Sequence, residues 1–267
     1  MPKKKQPTPK PEEPTKDPFK SQHRFLIERY YLVQEHRIAI GNQINALRDY
    51  TDEPTDDQLQ QTALLQKYFD TYHDLEKQIT KDLTLELKSH LMWEYLKATK
   101  GIGTILGASL ISYIDIHKAQ HASSVWKYAG LDVAEDGKAR SKRKEHLVPK
   151  TYTNREGEVI NTKGITFNPF LKKTCWLIGE SFVKTKGTYR NVYNTSKEFY
   201  QKKFFMPKEI EYINAQGKKA KKTIYTKGHI HAMAKRRTVK LFLAEFWAEW
   251  RALENLPVSK PFMHRGE

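Results

Sequence analysis

Two apolar stripes with helical spacing, parted by a short acidic break, constrain the first third of this chain more than any other feature. Leu26, Val33, Ile40 and Leu47 recur every seven residues, with Tyr30 and Ile44 between them and only Arg37 interrupting the seam. Residues 51–57, Thr-Asp-Glu-Pro-Thr-Asp-Asp, break the pattern and supply capping side chains for a second helix. Along that helix Leu65, Tyr68, Tyr72, Leu75, Ile79, Leu83 and Leu87 form a second stripe. Two long helices joined so tightly fold back on each other, which predicts an antiparallel coiled-coil hairpin over residues 19–98. Such stripes serve core packing or self-association, so the expected role is a spacer through which copies of the chain form a homo-oligomer. Residues 1–18, Pro- and Lys-rich with almost no apolar content, read as a disordered basic arm, and Lys3-Lys4-Lys5 belongs to that solvated tail.

At Gly101-Ile102-Gly103 the composition changes. Residues 1–100 carry 16 Lys/Arg against 16 Asp/Glu, whereas residues 101–267 carry 31 against 15, so the whole net charge of +16 sits in the second part. A Gly-x-Gly between two apolar helical patterns is also how a helix–hairpin–helix presents backbone N–H groups to a phosphate. The glycines permit close approach, and the following helix leaves its first amides unpaired. Lys100 and Thr104 complete the expected contact set with Gly101, Ile102 and Gly103. Contacts of this kind position a duplex without reading its sequence. The coincidence of charge step and hairpin points to nucleic acid, with duplex DNA the expected partner.

Composition narrows the remaining classes. With 38% hydrophobic and 12% aromatic residues the chain is a folded protein, long enough for a substantial core. Cys175 is the only cysteine, which excludes a disulfide framework and a thiolate metal cluster; within Cys175-Trp176-Leu177-Ile178 it reads as a buried structural thiol. No apolar run approaches a membrane span and no secretory segment is evident, so the expectation is a cytoplasmic, nucleoid-associated protein with no membrane partner. No cofactor is indicated.

The fold class expected is mainly α: the helical hairpin, then a basic helical domain over 99–256 containing the helix–hairpin–helix and two small β-hairpins, then a tail over 257–267. Helices are expected at 104–114, at 122–128 closed by Gly130, from Asn168-Pro169 as N-cap and first position, and over 232–253. The second of the β-hairpins echoes the first. Tyr152-Thr-Asn154-Arg-Glu-Gly157 precedes Thr162-Lys163-Gly164, and Tyr212-Ile-Asn214-Ala-Gln-Gly217 precedes Thr226-Lys227-Gly228. Each unit is expected to deliver a lysine, Lys163 or Lys227, to a helix N-terminus, where the dipole favours phosphate. Two dense basic runs complete the candidate surface: Lys138, Arg140, Lys142, Arg143, Lys144 and Lys150, and Lys218 through Lys240 including Lys235, Arg236 and Arg237. Tyr152, Tyr212 and Tyr225 are interleaved with them and suited to stacking. His229-Ile230-His231, at an expected hairpin end, has no carboxylate partner nearby in sequence, and Glu245 and Glu249 read as a solvated helix face. No metal site is expected.

The run Lys100-Gly-Ile-Gly-Thr-Ile-Leu-Gly-Ala-Ser-Leu-Ile-Ser-Tyr-Ile-Asp115, followed by Ser124-Val-Trp-Lys-Tyr-Ala-Gly-Leu131, resembles the C-terminal domain of the insertion-sequence 110/116/902 family of transposases. Ala139-Arg-Ser-Lys-Arg143, the helix from Asn168 and Met233-Ala-Lys-Arg-Arg-Thr-Val-Lys240 resemble its later elements in order, so the likeness covers about 100–253. It implies a role in DNA transposition or recombination, with a guide-type RNA as a further ligand. The chain departs from the family in three places. Tail and helices stand where members place a RuvC-like, metal-binding domain. Asp136 occupies the position of the family's serine nucleophile, and Lys100 that of a proline. Ser141 is the nearest hydroxyl, beside Arg140, Lys142 and Arg143 that would stabilise a phosphorane. The leading expectation is therefore a transposase-derived DNA-binding protein. The alternatives are an active serine-type recombinase using Ser141 and a structural coiled-coil oligomer.

Overall fold

A computed structural model describes residues 18–49, 54–214 and 217–259. The basic arm with Lys3-Lys4-Lys5, the first residues of the acidic break and the tail beyond 259 lie outside the described residues. What is described is mainly α, with two small antiparallel ribbons.

Helices α1 (Pro18–Asp49) and α2 (Asp56–Leu87) run antiparallel, with Gly41 facing Phe69 and Arg37 facing Glu76. The acidic break ends in a capping box: Gln58 N–H donates to Thr55 Oγ1 (3.3 Å) and Thr55 N–H donates to Gln58 Oε1 (2.9 Å). Arg37, the interruption in the first stripe, pairs with the buried Glu76 at 2.7 Å across the seam. A buried charge needs such a partner, and the two together hold the register of the hairpin. Toward the base of the hairpin, Ile27, Val33, Ile79, Leu83 and Leu87 join one continuous buried cluster that extends to Trp250. Nearer its tip, Leu59, Leu64, Tyr68 and Leu75 are exposed.

The cluster is organised around α4 (Thr104–Tyr113), buried from Gly107 to Ser112, and α8 (Lys227–Leu253), whose Phe242, Leu243, Ala244, Phe246 and Trp247 are fully enclosed. A short α3 (Trp93–Ala98) leads into the glycine hairpin, and α5 (Ala122–Tyr128) follows α4. The buried Arg251 guanidinium donates to the carbonyls of Ile116 (3.0 Å), Ala119 (3.2 Å) and Pro257 (2.7 Å), which ties the α4–α5 connection to the end of α8. Helix α6 (Pro169–Lys184) starts as its sequence requires, with the Asn168 side chain accepting from Leu171 N–H (3.0 Å) and Pro169 in the first turn. Its Leu171, Cys175, Ile178 and Phe182 are all buried on one face.

Three features differ from expectation. Helix α7 (Thr188–Lys203) fills a stretch the apolar spacing left unassigned. Helix α8 begins five residues before the expected 232, so His229 and His231 lie in its first turns and not at a hairpin end. The ribbon β1 (Val148–Thr153)–β2 (Val159–Gly164) contains Lys163 within its second strand, paired with Pro149, so Lys163 does not reach the N-terminus of α6. The second ribbon, β3 (Lys208–Ile213)–β4 (Lys219–Ile224), does lead into a helix as expected: Thr226 caps α8 and Lys227 is its first residue.

Candidate nucleic-acid interface

Helix α6 packs on α8 through Gly179 against Val239 and Phe182 against Phe242, with Lys235 bonded to Glu180. Lys172 at the start of α6 lies within reach of Arg236 of α8, and there the chain concentrates positive charge. Lys172, near the end of the first turn of α6, lies over the Phe167 ring (4.5 Å), and its ammonium donates to the Arg140 carbonyl. Lys240 lies over the Trp126 ring (4.3 Å), whose Nε1 donates to the Lys240 carbonyl (2.9 Å). Arg140 comes in from the loop after α5, where its Nε donates to Asp132 Oδ2 (2.8 Å). Burial, and after it the Arg236 charge, draws both lysine amines below the usual lysine value; Asp132 acts in the opposite sense. Arg140, Lys172, Arg236 and Lys240 thus converge on a nook whose balancing carboxylate is Asp132, and the Oδ1 of Asp132 is buried without a hydrogen-bond partner.

The remaining predicted contacts divide around this nook. Lys142, Arg143 and Lys144 are exposed on the loop that carries Arg140, and Lys138 there reaches Asp136 at 3.5 Å. Lys163 and Lys227 are exposed. Lys235 is committed elsewhere: it bonds Glu180, holding that carboxyl below the usual carboxylate range. Arg237 points to α7, over the Phe199 ring at 5.2 Å. Every helix from α4 to α8 lacks an acidic residue in its first turn, whereas α2 has Asp56 and Asp57 there. In the basic region the positive ends of the helix dipoles are left without carboxylates.

The glycine hairpin sits at the other end of α6. Gly101 has φ +101°, its carbonyl accepts from Ser181 Oγ (2.6 Å), and a Cβ there would meet Phe182 at 3.0 Å. Ile102 is buried and Thr104 Oγ1 lies 2.9 Å from Thr84 Oγ1, so both side chains serve packing. Gly103 is exposed as N-cap of α4, without a side-chain cap and with open space where a Cβ would be. Lys100 is exposed and packs across Gly187 at the start of α7. The backbone of this hairpin is accessible to a phosphate; its side chains, Lys100 apart, are not.

The loop over 132–147 also joins the two candidate catalytic positions through a residue the sequence did not single out. His146, buried, has its Nε2 3.2 Å from Asp136 Oδ2 and its Nδ1 3.0 Å from Ser141 Oγ. The Ser141 amide donates to the same Nδ1 (3.0 Å), which makes that nitrogen the acceptor and places the ring proton on Nε2, facing Asp136. The Lys138 amide hydrogen bond, ahead of His146, lowers the Asp136 carboxyl below its usual value. Arg140 is turned toward Asp132 and does not flank Ser141 as expected.

Two other readings gain detail. Cys175 is buried, and desolvation pushes its thiol up to about 12, consistent with an inert structural residue. Glu245 is not on a solvated face: it is half-buried and accepts from Tyr189 Oη (2.5 Å). Among the described residues no group of His, Cys, Asp and Glu is placed to hold a metal ion, and no helix is long and apolar enough to cross a membrane. No protein-family model matches the chain, and no curated protein matches it.

Proposed function

We propose that this chain binds duplex DNA through its phosphates, as the DNA-engaging part of a transposition or recombination system of the kind its ordered motifs resemble. The observation that carries the reading is the nook of Arg140, Lys172, Arg236 and Lys240. Lys172 and Lys240 are half-buried, and burial first, then the charge of Arg236, lowers both amines, so like charges are held close together. A phosphate entering the nook would offset that repulsion and favour the charged form of both amines. The exposed cations of the 138–144 loop lie on the segment that carries Arg140, and the uncapped start of α4, at the other end of α6, offers further amides. Titration of duplex binding against salt tests the reading: log affinity should fall linearly with log salt, with a slope of about −0.9 per phosphate engaged. Binding that is absent, or insensitive to salt, would reject it.

A second reading gives the same loop a chemical role, and the Asp136–His146–Ser141 relay favours it. In it Ser141 Oγ attacks phosphorus, its proton passes to His146 Nδ1, and the released deoxyribose oxygen takes that proton as the P–O bond breaks. The amide of Ser141 shares the same nitrogen, so the relay also pins the loop that carries Arg140. Ser141→Ala separates the roles: it should leave duplex binding intact and abolish any covalent DNA adduct, and an adduct that persists would remove Ser141 from the chemistry.

A further inference from the structure

The two β-ribbons are built alike to a degree the sequence echo only hinted at. Each has six cross-strand pairs. In the first, Asn154 N–H donates to the Glu158 carbonyl (3.0 Å), Gly157 N–H to the Asn154 carbonyl (3.2 Å), and Glu158 N–H to Asn154 Oδ1 (2.9 Å). In the second, Asn214 N–H donates to the Lys218 carbonyl (2.9 Å), Gly217 N–H to the Asn214 carbonyl (3.0 Å), and Lys218 N–H to Asn214 Oδ1 (2.9 Å). The closing glycines both have positive φ, +86° and +74°. Counting back from these turns, Tyr152 pairs with Ile160 and Tyr212 with Ala220 in the same register, and both tyrosines are exposed near the tips.

No residue of either ribbon is buried. A two-stranded ribbon without a face on a core is marginally stable in water by itself. Two such ribbons, each exposing a tyrosine and lysines beside aliphatic side chains (Val148 and Val159 in the first, Ile213 in the second), are suited to contact with a partner. The first ribbon is rooted at the cation nook, and the second at the start of the helix that carries Arg236 and Lys240. The connection from β2 into α6 passes through Phe167, against which Lys172 packs, and β4 enters α8 at Lys227. Along α8 the distance from Lys227 to Lys240 is about 20 Å at 1.5 Å per residue, less than the roughly 34 Å of one duplex turn. A two-stranded ribbon is also narrow enough to enter the major groove of B-form DNA.

We propose that the ribbons are a matched pair of arms that enter the grooves of the duplex turn held at the nook, with Tyr152 and Tyr212 contacting it near their tips. This rests on the DNA-binding reading above, and the experiment separates the two. Hydroxyl-radical footprinting and salt titration are carried out on the full chain, on Tyr152→Ala, on Tyr212→Ala, and on variants in which either ribbon is replaced by a short Gly-Ser turn. The full chain should protect about one turn. Removing either ribbon should shorten protection, with the remaining binding still salt-dependent. Each tyrosine variant should weaken binding roughly fivefold without changing the salt slope, because it removes no charge. The point variants keep the test decisive if a deletion fails to fold. Footprints and affinities unchanged by any of these changes, with salt-dependent binding intact, would overturn the arms and leave the nook standing. Protection of an A-form RNA duplex in place of B-form DNA would overturn the groove assignment, and a full chain that binds no duplex would remove both proposals.

Discussion

On the proposed reading, the two ends of α6 would offer phosphate two different kinds of contact. At one end the glycine hairpin offers backbone amides on a scaffold whose other polar groups are satisfied, with the Gly101 carbonyl bonded by Ser181 and Thr104 Oγ1 beside Thr84. At the other, the nook holds side-chain cations whose charges are incompletely balanced. From Lys172 to Ser181 the two lie about 14 Å apart along the helix, at 1.5 Å per residue. The hairpin is at rest without a ligand, whereas the nook stores repulsion that a polyanion would release. If the chain binds DNA as proposed, the strongest grip therefore belongs at the nook, with the hairpin positioning the duplex.

The largest expected effect tests that ranking. Lys172→Met with Lys240→Met keeps the apolar stems over Phe167 and Trp126 and removes two charges. Duplex affinity should fall about a hundredfold near 0.1 M salt, with the salt slope reduced by about 1.8. Thermal stability of the free protein should be unchanged or higher, because the penalty of holding two depressed amines together is gone. A loss of stability equal to the loss of binding would make the nook a structural element.

An intermediate effect is expected at the hairpin. Gly103 has the extended N-cap conformation (φ −92°, ψ 176°) and open space beyond it. Gly103→Asp should cap α4 and raise stability by about 0.3 kcal/mol. The same carboxylate would occupy the amides offered to a phosphate, so duplex affinity should drop a few-fold, far less than at the nook. If affinity is unchanged, the hairpin makes no phosphate contact and serves only to turn the chain.

Much of the fold was legible because its local signals are strong. The capping box at Thr55, the Asn168-Pro169 start and the one-sided stripe Leu171, Cys175, Ile178 and Phe182 each impose their own element. Helix α7 escaped because Gly187 supplies no side-chain cap, although Tyr189, Tyr193 and Ser196, all buried, carry the helical spacing that would have found it. The basic clusters were visible as composition, but their geometry was not. Lys235 and Arg237 look equivalent to Arg236 along the chain, yet a helix sends neighbouring side chains to different faces, one to Glu180, one to Phe199 and one to the nook. Lys172 left one faint signal: a cation near a helix start that lacks any acidic residue. His146 left none, since its relay depends on how the loop closes.

The smallest effect concerns the root of the second ribbon, where the nook's own charge reaches a histidine. The Tyr225 amide donates to His229 Nδ1 (3.0 Å), and the rings of His229, Tyr225 and Phe204 stack in sequence. Burial first, then the charges of Lys222 and Arg236, lowers the His229 pKa below its usual value. The folded state therefore binds fewer protons here than the unfolded state once the pH falls below about 6.5. The contribution of this contact is fully present above that value and is lost as the pH falls through the lowered pKa, where a protonated Nδ1 can no longer accept from Tyr225. Limited proteolysis of the β3–β4 ribbon should quicken between pH 7 and 5 in the wild-type chain. DNA should slow that acid response, because phosphates beside Lys222 and Arg236 offset the charges that depress His229 and let the root tolerate a proton. His229→Gln, which cannot titrate, should cleave at a rate independent of pH over the same interval. An identical acid response in that variant would move the sensitivity away from the root and leave the stack a purely apolar joint.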